Sequence, residues 1–462
     1  MDNQLSELLK KEHERIECTA NLIASESYPE RDVIEAAGNV FTAKYQMGFP
    51  YTRLPSGEID HAKHSRWYAG TEVYDVVEKL AIAGALKAFR LPEFGVSWAS
   101  PQPLSGSHAN LTVYAALMNP GDHAVGFSCT QGGHPSHGDR SSITGVMYNW
   151  KHYGVKANGE IDEEELERLC AEHKPKLLQV GGSSIARGID FERVREIANR
   201  HKIPYVMADI AHVAGLVAAR VGVYANESYL PWKWCDVVTT TTHKTLRGIS
   251  GGLIMVPNDR LLNKHGVTNG DGRTLRITEL LETTIVPGTT AKSPGNIMYA
   301  KVLTFMRAST PLFQEWSIHV LQNARAMEKT LREHGARVFG DETQNHTVLL
   351  ETTSFGLTGK EAQDAMEKTG IITNACSIPD QDHEAAAAGV RLGSAALTCR
   401  AGWGEESTKI LTKLLVETLK FHQNQEETAR IRREVRELLA NHPTYETKST
   451  LEPAYERVPS RA

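Results

Sequence analysis

From about Gly95 to Pro257 the chain alternates short apolar runs with amphipathic stretches. The runs are Gly95–Trp98, His123–Phe127, Ile143–Tyr148, Leu177–Val180, Tyr205–Ala208, Val237–Val238 and Leu253–Val256. Segments of helical spacing fall between several of them, at Ala109–Met118, Glu163–Glu172 and Glu192–His201. Short uninterrupted apolar runs read as strands buried on both faces. Their repetition with helices predicts a mostly parallel sheet with helices on both sides. Ligands of such sheets collect at the carboxyl ends of the strands.

Either side of this block the pattern differs. Residues 2–17 alternate leucines with charges at helical spacing and predict an amphipathic arm, followed by the small-polar stretch Asn21–Pro29. A helix is expected from Arg31 to Ala43, an irregular aromatic segment from Lys44 to Tyr68, and a helix from Glu72 to Phe89. Long irregular segments inside compact domains are commonly functional. After Pro287-Gly288, a long helical stretch from Asn296 to Ala336 leads to strand-like pieces at Thr347–Glu351 and Gly389–Leu392, then to helices ending near Leu439. The division expected is an arm at 1–40, a large domain at 41–290, a smaller C-terminal α+β domain at 291–441 and an extended tail at 442–462.

Composition narrows the class. A formal charge of −5 with 40% hydrophobic and 23% charged residues fits an ordinary globular protein and points to neither nucleic acid nor a membrane surface as partner. The six cysteines form no CxxC pair and read as reduced thiols. The 19 histidines form no HExxH or Cys/His ligand cluster, so no metal is expected. With a polar amino terminus and no apolar run near ~18 residues, a soluble cytoplasmic protein is expected.

Chemistry-bearing residues fall just after the apolar runs. Thr239–Gly248 (TTTTHKTLRG) sets Lys244 beside His243 between two strand-like pieces. An amine attacks a carbonyl only when neutral, and burial lowers a lysine toward that state, so Lys244 suits a Schiff base; the plainer reading is a strand-end lysine capped by threonines. Met207–His212 (MADIAH) puts Asp209 after a strand, where a carboxylate is costly to bury unpaired. A pyridinium nitrogen is one fitting partner, and a helix N-cap is the alternative role. Leu104–Asn110 (LSGSHAN) opens a helix whose N–H groups suit a phosphate, or is capped by serine alone. Gly132–Gly138 (GGHPSHG) places two histidines in a glycine-rich turn, for ring stacking, acid–base work or plain solvation. Of Arg391 and Arg400, one could clamp a carboxylate bidentately, or either could be a surface ion-pair partner.

Together, Asn21–Glu26 (NLIASE), Pro103–Asn110 (PLSGSHAN), Gly132–Gly138, Met207–Ala219 (MADIAHVAGLVAA), Thr239–Gly248 and Gly389–Arg400 resemble the serine hydroxymethyltransferase family, in family order over about residues 5–425. The resemblance implies a fold-type I pyridoxal 5'-phosphate enzyme, α/β, with a mostly parallel seven-stranded sheet. It also implies a homodimer or tetramer with active sites at the subunit interface. By matching position, Lys244 would be the Schiff-base lysine with His243 as its neighbour, Asp209 would pair with the pyridine nitrogen, and His134 would stack on the ring. Ser105, Gly106 and Ser107 would hold the phosphate, and Ser184 and His212 would contact the cofactor. Arg400 with Ser25 would bind the substrate carboxylate, and Tyr45 and Tyr68 match aromatics that one subunit lends the other.

The departures lie on the folate side. Met47 stands where the family has a glutamate that handles protons, and a thioether cannot do so. The loop Tyr51–Arg66 is longer and brings Glu58, Asp60, His61 and His64; Trp67 replaces a tyrosine, and Pro135 a leucine. Thr289–Pro294 replaces a glycine-glycine-proline-histidine stretch that supplies the partner subunit's phosphate contact. Cofactor residues kept and folate residues altered resemble the threonine transaldolase offshoot. These enzymes cleave L-threonine to a glycine quinonoid and acetaldehyde, then add the quinonoid to another aldehyde, with His134, His61 or His64 as candidate base. The alternatives are a glycine/serine hydroxymethyltransferase using tetrahydrofolate and a catalytically idle cofactor-binding partner protein.

Overall fold

The computed structural model describes residues 2–262, 274–379 and 387–445. Its centre is a seven-stranded sheet in the order Ala99–Ser100, Gly252–Met255, Val237–Thr241, Tyr205–Asp209, Leu177–Val180, His123–Phe127 and Asn149–Tyr153. Only Gly252–Met255 runs against its neighbours. Successive side chains of one strand point to opposite faces. Val206 and Ala208 therefore enter one apolar layer, and Tyr205 and Met207 the other. Helices cover both layers, which is why the central strands carry apolar residues on both faces.

Two apolar runs were not strands: Gly95–Trp98 leads into the two-residue strand Ala99–Ser100 without being part of it, and Ile143–Tyr148 is the second. Ile143–Met147 is a short helix capped by Ser142, and the strand follows at Asn149–Tyr153. That strand lies at the sheet edge, where half-exposure permits the polar sequence NWKHY. The helix expected over 31–43 stops at Ala36, and a new turn starts where the Asn39 side chain accepts from Phe41 N–H. Pro311 divides the long helical stretch into Gly295–Ala308 and Pro311–Glu333.

A second, antiparallel sheet orders Thr347–Glu351, Gly389–Gly393 and Asn374–Cys376 and packs with helices Gly359–Thr369, Glu405–Lys420 and Gln425–Ala440 around its own core. Helix Gly295–Ala308 packs in the first core, whereas Pro311–Glu333 gives Phe313 and Val320 to the first and Met327 and Leu331 to the second. The N-terminal helix Asp2–Cys18 leads into Ala20–Asn21, which pairs with Ile371–Ile372. Of the expected tail, Thr444 and Tyr445 donate backbone N–H to Glu17, and 446–462 lie outside the described residues. The six cysteines are free thiols. Among the described residues no helix is long and apolar enough to cross a membrane, and no His/Cys/Asp/Glu group could hold a metal ion.

The irregular segment after Lys44 is held by buried charge. Arg66, with no exposed side-chain surface, pairs with Asp75 at 2.7 Å and Glu78 at 2.6 Å on helix Glu72–Ala88. It also donates to Gly48 O, and Gln102 bonds the other Glu78 oxygen. Gly48 has φ +102°, and a Cβ there would lie 2.3 Å from Ser65 O. Removing one partner of such a cluster strands buried charge. Arg66→Met is expected to lower unfolding free energy by about 3–5 kcal/mol, measured by urea denaturation; a loss below about 1 kcal/mol would show that water screens the cluster.

Candidate active site

A cavity of about 370 Å³ opens where the central strands end. The strand Val237–Thr241 is buried throughout and delivers Lys244 to it. Lys244 sits at φ +55°, a left-handed conformation that costs a non-glycine residue and marks functional turns. The turn is held on three sides. Ser27 Oγ donates to Lys244 O (2.6 Å), Thr245 Oγ1 donates to His212 O (2.8 Å), and Gly215 N–H donates to Thr245 Oγ1 (3.1 Å). Burial lowers the Lys244 amine to about 8, with Asp209 opposing and Arg391 adding to the effect.

Asp209 closes the strand Tyr205–Asp209 on the opposite wall. Burial alone would raise its carboxyl. His137 Nε2 (3.1 Å), Asn110 Nδ2 (2.8 Å) and Ala211 N–H (2.9 Å) outweigh burial and hold it well below the carboxylate range. Thr239 Oγ1 in turn donates to Asn110 Oδ1 at 2.6 Å. Asp209 is thus an ionised group suited to a cationic ring nitrogen.

Ser105 caps the helix Gly106–Leu117, its Oγ accepting from His108 N–H. Gly106 and Ser107 line the cavity in the first turn of that helix, whose N–H groups have no partner within the helix, the arrangement that suits an anion. The preceding loop is fixed by Lys301, which is buried and donates to Pro101 O, Pro103 O and Gly252 O. Burial lowers that amine to about 7.

The remaining wall is imidazole-rich. His134 holds Nδ1 toward Ser136 N–H at 3.1 Å, and burial lowers it to about 4. His243 is lowered to about 4 by burial, with its Nδ1 unpartnered among the described residues. His212 and Ser25 also line the cavity. From the second sheet, Arg391 Nη1 donates to Ser183 O (2.8 Å) and Ser184 Oγ (3.2 Å), and Nε donates to Asn374 Oδ1 (3.2 Å).

The family profile described as serine hydroxymethyltransferase matches residues 1–415. A serine hydroxymethyltransferase of Coprothermobacter proteolyticus is 39% identical over 446 residues, 96% of this chain and 97% of that protein. One from Francisella tularensis subsp. novicida is 39% identical over 412 residues, 89% and 88% of the two chains. The chain belongs to the serine hydroxymethyltransferase family.

The family's cofactor, pyridoxal phosphate, fits the donors present. The first-turn N–H groups at 106 and 107 suit its phosphate, Asp209 its ring nitrogen and the Lys244 amine its carbonyl. This family member is accordingly a pyridoxal-phosphate-dependent carbon–carbon transferase.

Several expected site residues stand elsewhere. Arg400 does not line the cavity. Its guanidinium donates to Ile16 O (2.5 Å), Thr19 O (3.1 Å) and His442 O (2.9 Å) and pairs with Glu17 at 3.6 Å. A cation at the C-terminal end of a helix satisfies its last carbonyls, so Arg400 ties the N-terminal helix to the chain end. Arg391, its competitor in sequence, does not line the cavity either but donates to the carbonyl of Ser183, which does. Ser184 is bonded to Arg391 beside the wall, and Tyr45 and Tyr68 form an edge-on pair at 4.9 Å outside their own cavity. Glu58, His61 and His64 are exposed and line no part of it. The contacts of Asn110 and His137 with Asp209 were not legible in the sequence, although both residues fall in its motifs, and His346 carried no signal at all.

Two outcomes test this geometry. In cofactor-free protein the Lys244 amine gains a proton as pH falls through about 8, so capture of pyridoxal phosphate should slow about tenfold per unit below that pH; a stopped-flow profile with a midpoint near 10 would contradict it. Arg391→Lys should weaken amino-acid binding by one to two orders of magnitude, equivalent to about 1.5–3 kcal/mol for a charged hydrogen bond. Arg400→Lys should lower thermal stability and leave that affinity within about twofold, both read by calorimetry.

Proposed function

We propose that the chain cleaves L-threonine, or a similar β-hydroxy-α-amino acid, and passes the glycine unit to another aldehyde, a transaldolation. One observation carries this reading. Among the described residues lining the cavity, Asp209 is the only carboxylate, and it is committed to His137, Asn110 and Ala211. The position matching the family's proton-handling glutamate is Met47, half-buried against the apolar layer of the sheet. Glu58 faces solvent beside Ser56 rather than substituting for it.

When bound, pyridoxal phosphate supplies an electron sink for the carbanion left at the amino acid's α-carbon. Asp209 keeps the ring nitrogen protonated. Arg391, with Ser25, orients the substrate carboxylate. Neutral His134 accepts from Ser136 N–H at Nδ1, so its proton sits on Nε2, and the ring positions an oxygen rather than removing a proton. Lys244 Nζ, lowered to about 8, is the strongest base on the wall and suits the β-hydroxyl proton. The Tyr45–Tyr68 pair, 41% and 48% exposed outside its own cavity, supports a homodimer in which each chain completes the other's site.

Hydroxymethyl transfer with tetrahydrofolate is the second reading, favoured by the names of relatives that are 39% identical over nearly the whole chain. Substrate comparison separates the two. Acetaldehyde release from L-threonine without folate, and a new β-hydroxy-α-amino acid when a second aldehyde is added, are expected. Serine cleavage that depends strictly on tetrahydrofolate and outpaces threonine cleavage would reverse the order.

A further inference from the structure

His346 precedes the strand Thr347–Glu351 and is fully buried where the second sheet meets the cofactor cavity. Its Nε2 lies 3.0 Å from Ala24 O and 3.4 Å from His212 Nδ1. A carbonyl oxygen only accepts, so Nε2 carries the proton of the His346 ring. Its Nδ1 has no partner among the described residues. A buried lone pair is tolerated there better than an orphaned N–H. Burial keeps the ring neutral, lowering it to about 3.

This fixes the neighbouring ring. The two imidazole planes are 21° apart with centroids at 5.5 Å, and the facing nitrogens at 3.4 Å show that the rings meet along an edge. The His346 N–H reaches His212 Nδ1, which must therefore accept. His212 is also neutral, because burial and then Lys244 hold it well below its ordinary value. A neutral imidazole with Nδ1 accepting carries its hydrogen on Nε2. That atom makes no hydrogen bond among the described residues, and His212 lines the cavity. The same His346 N–H holds Ala24, the residue before cavity-lining Ser25.

We propose that His346 is a positioning residue: its shared N–H locks His212 in the Nε2–H form, so that a donor faces an oxygen acceptor of the cofactor, and holds Ser25 in register with it. The proposal rests on the reading of His212 as a cofactor contact.

The test uses holoenzyme labelled with ¹⁵N-histidine, in which two-bond proton–nitrogen correlations report the tautomer of His212, together with the cofactor dissociation constant. The wild-type protein should show the Nε2–H form. His346→Leu should give mixed tautomers and about tenfold weaker cofactor retention. His346→Gln, whose amide N–H falls near the position of Nε2, should restore both. If the leucine variant does not fold, His346→Asn carries the same expectation, since its shorter amide reaches neither partner. A wild-type His212 protonated at Nδ1 would overturn the proposal. So would a natively folded leucine or asparagine variant with unchanged tautomer and cofactor affinity. His212→Leu separates the two readings: unchanged affinity there would remove His212 from the cofactor contacts, while the tautomer still decides the role of His346.

Discussion

An ionised carboxylate buried at a strand end costs several kcal/mol unless donors surround it, and the site is arranged around meeting that condition at Asp209. Each donor comes from a different element. Asn110 belongs to the helix whose N-terminus offers Gly106 and Ser107, His137 to the glycine-rich turn that carries His134, and Ala211 to the chain leaving the strand itself. Satisfying one acid therefore fixes the helix start at Gly106, the histidine turn and the end of the strand Tyr205–Asp209 relative to one another. Thr239 extends the network to the strand that carries Lys244.

The cavity is completed from outside the large sheet. Ser27 bonds the carbonyl of Lys244, and Ala24 is held by His346. Arg391 spans from the second sheet to Ser183 and Ser184. A segment near the amino terminus is thus pinned between two sheets, and a Cβ at Gly393 would lie 2.4 Å from Ala24 Cα. Arg391 and the N-terminal segment approach from the side of the second sheet, whereas Lys244 and Asp209 are delivered by strands of the central sheet.

The segment Tyr51–Arg66 is also firmly docked. Besides Arg66, Arg53 forks onto Glu282 at 2.6 and 3.0 Å, where Tyr51 and Trp98 also donate. Glu282 belongs to helix Ile277–Thr283, so the hairpin Thr52–Arg53 and Ile59–Asp60 is fixed to the large sheet's covering layer. The segment is thus structured, not a loose loop.

The sequence alone determined the parts governed by local rules. Buried parallel strands must be apolar, so their positions were legible, and chemistry at their carboxyl ends marked Lys244, Asp209, the Ser105–Ser107 helix start and the histidine turn. It failed where burial is decided at long range. The edge strand Asn149–Tyr153 is polar because only one side of it is covered. Arg391 and Arg400 are nine positions apart on the chain and chemically identical; only folding shows that one guanidinium bonds cavity-lining Ser183 while the other meets helix-end carbonyls. His346 carried no pattern at all. Its role exists only because the second sheet brings it to His212, 134 residues away in sequence. Contacts at that separation are written in packing, not in spacing along the chain.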